Sequence, residues 1–150
     1  MRDASLSKKG LSELQQTAIV PHVLRLKPGQ DLKLELAAFV RAHAVRAAFV
    51  VAAVGSLKQL TLRLASAREA TKKTGPFEIL SLQGTLASEG LHLHLCVADE
   101  LGNCLGGHLL DGCQILTTAE ILIQELSEFD FKRELDPETG FRELKIQRKT

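Results

Sequence analysis

Along most of the chain apolar and polar residues alternate with a period of two, and in one place the spacing lengthens to that of a helix. Ala18 to Leu26 reads as a strand, and Pro21 assigns it to a sheet edge or a bulge because proline cannot donate to a ladder. Pro28-Gly29-Gln30 is a turn, and Asp31 is a helix N-cap. From there Leu32, Leu36, Phe39 and Val40 fall at i, i+4, i+7 and i+8, the stripe of an amphipathic helix that ends near His43. Arg46 to Val54 is an almost unbroken apolar run that fits a buried strand, and Gly55-Ser56 ends it. Leu57 to Ala65 then alternates, with Leu60, Leu62 and Leu64 inward and Thr61 and Arg63 outward. Ser66 to Gly75 is polar and reads as a flexible surface loop. Further strands are expected over Phe77 to Leu86, Cys113 to Leu116, Ala119 to Ile123, Phe129 to Arg133 and Phe141 to Ile146. About eight short strands and one helix describe an α+β domain: a curved, mostly antiparallel sheet with a packed helix. A single domain over residues 18–150 follows a polar lead-in, residues 1–17.

The most informative alternation lies between Leu91 and Leu110. One face of the strand Leu91 to Ala98 is Leu91, Leu93, Leu95 and Val97, with no polar atom; the other carries His92, His94, Cys96 and Ala98. Gly102 can take the left-handed conformation that closes a three-residue loop, Glu100-Leu101-Gly102, in a type I turn with a bulge. That turn sets Ala98 opposite Cys104, Cys96 opposite Gly106 and His94 opposite His108. Directly opposed side chains are roughly 4.5–5.5 Å apart at Cβ, and His92 is about 6.6–6.8 Å along the strand from His94. A slip of one residue would send His108 among the leucines, so the pattern itself selects the register. Gly106, opposite Cys96, leaves room over the sheet. A His-x-His pair alone is usually a solvent-facing pair. A third imidazole at the paired position makes the ligand set of a reactive zinc or similar divalent-metal site, with one coordination position open.

Composition narrows the alternatives. The 150 residues carry 19 Lys and Arg against 18 Asp and Glu, a balance that does not advertise a nucleic-acid surface. The only aromatic side chains among Phe, Trp and Tyr are six Phe, which supplies a base-stacking platform poorly. There is no membrane-length apolar run and no apolar leader. Three cysteines without Cys-x-x-Cys spacing point to a reducing, cytoplasmic setting. Cys96 shares the histidine face and could be a ligand, although a small buried hydrophobe is the simpler reading. His22 and His43 have no partner in sequence and read as surface residues, His43 favourably placed at a helix carboxyl end.

A metal site needs a general acid or base beside it. Glu120 is the first candidate, set in the apolar Ala119 to Ile123 strand where an unpaired carboxylate is costly. Glu78 and Arg63 follow as ordinary surface or ion-pairing residues that could also serve. Neither Ser56 nor Cys104 has a base and orienter for nucleophilic catalysis, and Gly106-Gly107 follows a hairpin rather than opening a phosphate-binding helix.

Val23 to Leu32, the Val54-Gly55-Ser56-Leu57 segment, Gly75-Pro76-Phe77-Glu78-Ile79-Leu80-Ser81-Leu82-Gln83-Gly84 and Gly106-Gly107-His108-Leu109 together resemble the plants-and-prokaryotes conserved (PPC) domain, in order from about Val20 to Leu144. The resemblance implies a homotrimer of compact subunits in a stand-alone prokaryotic protein, often described as DNA-binding. It also implies a fold similar to that of acetolactate decarboxylase. The zinc of that enzyme is held by a His-x-His pair and a downstream histidine, which fall here on His92, His94 and His108, with a different interval before the third. The Arg-Gly-Arg-Pro core of the plant AT-hook is missing, so DNA is a partner supported neither by charge nor by a motif.

Two functions follow. One is a zinc or other divalent-metal protein that binds or transforms a small-molecule ligand. The alternative is a trimeric, DNA-associated scaffold without chemistry, whose phosphate contacts would come from Lys8-Lys9, Lys72-Lys73, Lys145, Arg148 and Lys149.

Overall fold

The computed structural model describes residues 19–149, so the expected lead-in, residues 1–17, lies outside the described residues together with Lys8 and Lys9. The described chain forms β1 (Ile19–Leu26), α1 (Leu32–Ala42), β2 (Ala48–Arg63), β3 (Thr71–Ala87), β4 (Gly90–Ala98), β5 (Cys104–Leu109), β6 (Gln114–Leu126), β7 (Phe129–Leu135) and β8 (Arg142–Arg148). Six strands make one antiparallel sheet in the order β1-β6-β2-β3-β4-β5, and β7-β8 form a separate ribbon. The α+β expectation holds. No described helix is long and apolar enough to cross a membrane.

The sheet is curved enough to close on itself. The end of β2 pairs with β5, Leu62 opposite Leu109 and Arg63 opposite His108, so that β2, β3, β4 and β5 form a circuit. Its inner side is filled by alternate residues, among them Leu60, Leu62, Leu93, Leu95, Val97 and Leu109. Helix α1 packs the same core through Leu32, Leu36 and Val40, the i, i+4, i+8 stripe its sequence carries. Asp31 starts the helix. One carboxylate oxygen accepts from Lys33 N and Leu34 N at 3.0 Å each, and the other accepts from Gly112 N at 2.6 Å, tying the helix to the approach to β6.

Three strands run through positions where the sequence suggested an end. Gly55 does not break β2; it stays in both ladders, opposite Ile79 on β3 and Ala119 on β6. Shifts of register on either side of Leu57 absorb the irregularity, so Gly55-Ser56 marks a bulged stretch within one strand. Thr71 to Gly75, read as loop, is the start of β3, with Thr71, Lys72 and Lys73 opposite Leu62, Thr61 and Leu60. Pairing to a buried neighbour overrides the local polarity there. The two strands expected over Cys113 to Leu116 and Ala119 to Ile123 are one strand, β6, which starts at Gln114.

One facing is also corrected. Thr61 is buried, not outward: its hydroxyl donates to Gly112 O and its N–H to Cys113 Sγ, because the start of β6 covers that side of β2.

Candidate metal centre

The hairpin of β4 and β5 has the register its turn residues imply. Gly102 sits at φ 81°, and its N–H donates to Asp99 O at 2.9 Å. The Asp99 carboxylate also accepts from Leu101 N and Asn103 N, and Asp99 N donates to Asn103 O. Ala98 then faces Cys104, Cys96 faces Gly106, and His94 faces His108. With the core leucines turned inward, the histidines stand on the outer side of the sheet. A cross-strand rung there reads Arg63, His108, His94 and Gln83, with His92 opposite Thr85 on the next outward row.

The three imidazoles form a triangle. Ring centroids are separated by 5.1 Å (His92 to His94), 5.3 Å (His92 to His108) and 5.7 Å (His94 to His108). One nitrogen from each lies within 4.8 Å of the other two. Tetrahedral ligands at about 2.0–2.1 Å from an ion are about 3.4 Å apart, so the gap is on the order of 1 Å and small χ rotations close it.

Nδ1 of His108 is buried and has no hydrogen-bond partner. A nitrogen left in that state is unfavourable unless something accepts its lone pair. Burial, reinforced by the Arg63 guanidinium and by His92 and His94, pushes His108 down to about 4, so the ring is neutral at pH 7. Partial burial lowers His92 too, with Arg133 and His94 acting in the same direction and Glu143 opposing them. Three imidazoles gathered in this way, with His108 and His92 held towards their neutral forms, are donors that suit a divalent cation. The residues fit the group.

Close approach of β5 to β2 rests on Gly107, where a Cβ would sit 2.8 Å from Arg63 O. Sequence reasoning gave the space-making role to Gly106, where an added Cβ would meet nothing nearer than 3.2 Å.

The β7-β8 ribbon folds back over the histidines. Phe131 anchors it against Ala47 and Ala87, and Arg46 pairs with Asp130 at 2.7 Å. This brings Arg133 to the site, its guanidinium donating to Thr85 Oγ1 at 2.7 Å and its backbone N–H to Glu89. Three clefts converge on the rings. One of about 300 Å³ is lined by Thr85, His92, His94, Arg133 and Glu143 among others. A second, about 540 Å³, lies between Arg63, His92, His108, Phe141 and Glu143. A third, about 690 Å³, opens along Arg63, His94, Gly107 and His108.

The structure thus gathers His92, His94, His108 and Arg63, and adds Arg133 and Glu143, which sequence reasoning did not single out. It does not gather Glu120. That residue is exposed on β6, between Arg25 of β1 and Val54 of β2, and it lines none of these clefts. Because it is exposed, the burial argument for its reactivity does not apply. Glu78 lines a small groove near Pro76 and Asp99, away from the rings. Cys96 is half-buried and stands outside the group of three nitrogens. His22 and His43 form a separate cluster with Phe39, and His22 Nε2 lies 2.9 Å from Glu125 Oε2.

The profile of the Plants and Prokaryotes Conserved (PCC) domain matches residues 14–127. A bifunctional protein GlmU from a Synechococcus strain is 52% identical over 125 residues; these are 83% of this chain but only 20% of that protein. A hypothetical protein from Salmonella of known structure is 41% identical, superposes with a TM-score of 0.87 and aligns over 89% of this chain and 97% of its own. A metal-containing protein from Archaeoglobus fulgidus is 26% identical with a TM-score of 0.71, over 84% of this chain and 93% of its own.

Proposed function

The chain belongs to the Plants and Prokaryotes Conserved (PCC) domain family, and from that premise we propose that it is a divalent-metal protein whose ion is held by His92, His94 and His108. The observation that carries the reading is the triangle of ring nitrogens within 4.8 Å, together with a buried His108 Nδ1 that has no hydrogen-bond partner. The likeness to a metal-containing protein from Archaeoglobus fulgidus supports it. Zinc is the ion proposed, because three imidazoles and an open position are its usual reactive ligand set. When bound, it supplies Lewis acidity towards a ligand that enters from the clefts.

The residues around the rings have separable tasks. Burial keeps His108 neutral and its lone pair available at pH 7. The β7-β8 ribbon narrows access and lends Arg133, which Thr85 holds in place. Glu143, half-buried beside His92 and fixed by a hydrogen bond from Thr139 Oγ1 at 3.1 Å, takes the acid–base role that sequence reasoning gave to Glu120. Three free thiols suit the reducing cytoplasm.

Self-association is the second part of the reading. Phe49, Val51 and Val54 on β2 and Leu80 on β3 are exposed, Val54 by 59% and Leu80 by 53%, an apolar surface that a homotrimer would cover. The purely DNA-associated alternative gains little support: Lys145 pairs with Glu134, Arg148 with Glu128, and Lys149 lies 3.8 Å from Asp130. Elemental analysis of untagged protein and of its His92→Ala and His108→Ala forms tests the reading. It expects near-stoichiometric zinc in the first and its loss in both variants; zinc retained by both variants, or absent throughout, refutes it.

A further inference from the structure

The cleft of about 540 Å³ has walls of one dominant sign. Arg63, Arg133 and Arg142 face Glu89 and Glu143, three guanidinium charges against two carboxylates before any charge on the imidazoles is counted. Glu89 is already engaged by the backbone N–H of Arg133, and Arg142 donates to the carbonyl of Arg133. Arg63 and Arg133 are different. Among the described residues neither has a carboxylate within 4.0 Å, and Arg133 places one guanidinium nitrogen on the neutral Thr85 hydroxyl.

Both arginines approach the rings from different elements. Arg63 is the cross-strand neighbour of His108 at the end of β2. Arg133 comes from β7 and lines the clefts beside His92. A protein that holds two unmatched guanidinium groups over a metal-ligating triangle has arranged positive charge on positive charge. With a divalent cation held by the three rings that arrangement is repulsive, and it becomes favourable when an anion lies between them. The planar fork of each guanidinium also fits the paired oxygens of an oxyanion, where a lone ammonium would not.

Taking the three-histidine centre as its premise, we infer that the site binds a small oxyanion, a carboxylate or phosphate group, anchored by Arg63 and Arg133 across the mouth of the metal centre. Arg63 holds it on the His108 side and Arg133 on the His92 side. Glu143, on the same wall, disfavours a ligand more extended in negative charge towards the ribbon.

The test is a calorimetric titration of the zinc-loaded, untagged protein with oxalate, with inorganic phosphate and with glycerol, repeated on Arg63→Gln and Arg133→Gln. Zinc content and melting temperature are measured on each form. Oxalate or phosphate should bind and glycerol should not. Each substitution should weaken the anion by about 10- to 100-fold, the usual effect of removing a charge-assisted hydrogen bond, with zinc content unchanged. Tighter binding of oxalate assigns a carboxylate, tighter binding of phosphate a phosphate. Lys132→Gln, on the same ribbon, should leave the affinity as it is. Stoichiometric zinc with no anion binding, or with equal affinity in both arginine variants, overturns the inference and leaves the metal reading standing. Absence of zinc in the unmodified protein instead fails the premise, so the two failures are read separately.

Discussion

Replacing His94 with alanine separates the metal reading from a merely structural role for the histidines. His94 is exposed on the outer side of β4, while the neighbouring Leu93 and Leu95 are in the core. Without metal the change should therefore alter stability by no more than about 0.5 kcal/mol. With metal the expectation differs. An ion present at a hundred times its dissociation constant stabilises the fold by about 2.7 kcal/mol. For a chain of this size each kcal/mol moves the melting temperature by about 2–4 °C, so zinc should raise it by about 5–10 °C. Structural zinc sites gain on the order of 10–16 kcal/mol from four ligands, about 3 kcal/mol each, so loss of one ring weakens binding by roughly 100-fold. At the same zinc concentration the variant then keeps only about 0.4 kcal/mol, a shift of about 1–2 °C. Differential scanning fluorimetry on chelator-treated, untagged protein with graded zinc reads both numbers. Equal zinc-induced shifts in the two proteins would refute the reasoning, since the ion would then bind elsewhere.

Other expectations follow from parts of the fold away from the rings. Asp31→Ala removes the acceptor for Lys33 N, Leu34 N and Gly112 N and should cost about 2 kcal/mol in a urea titration, whereas Asp31→Asn should recover most of the helix cap. Burial pushes the Cys113 thiol up to about 11; its unfolded counterpart ionises first, so this group's stabilising effect is intact below pH 9 and is lost as pH rises from 9 to 11. The urea midpoint of Cys113→Ala should accordingly fall less steeply over that range than that of the unmodified protein, and an equal slope would count against it. Val54→Lys puts a cation in the exposed apolar surface and opposite Glu120. Light scattering should show a trimer in the unmodified protein and a smaller species in the variant, and an unchanged mass would remove that surface from the interface.

How much of this was legible in the sequence depends on how local each signal is. The β4-β5 register could be read because one glycine at a positive φ dictates the turn and strict alternation does the rest. The helix was equally plain, since its stripe and its Asp31 cap lie within a dozen residues. The length of β2 was not, because Gly55 is held in strand form by ladders on both sides, and those partners are remote in sequence. Arg133 and Glu143 were hidden for the same reason: the β7-β8 ribbon reaches the histidines through Phe131, Ala47, Ala87 and the Arg46–Asp130 pair, none of which marks the ribbon as part of a site. For Glu120 a usable signal was present. It alternates with Ala119 and Ile121, both buried, which puts it on the outer face and in water.

The most direct test of the account is the X-ray absorption fine structure of the ion in the untagged protein. A first shell of three imidazole nitrogens at about 2.0–2.1 Å, with one further light ligand, is the predicted result. A sulfur scatterer at about 2.3 Å, a shell without imidazole, or no ion to measure would contradict it.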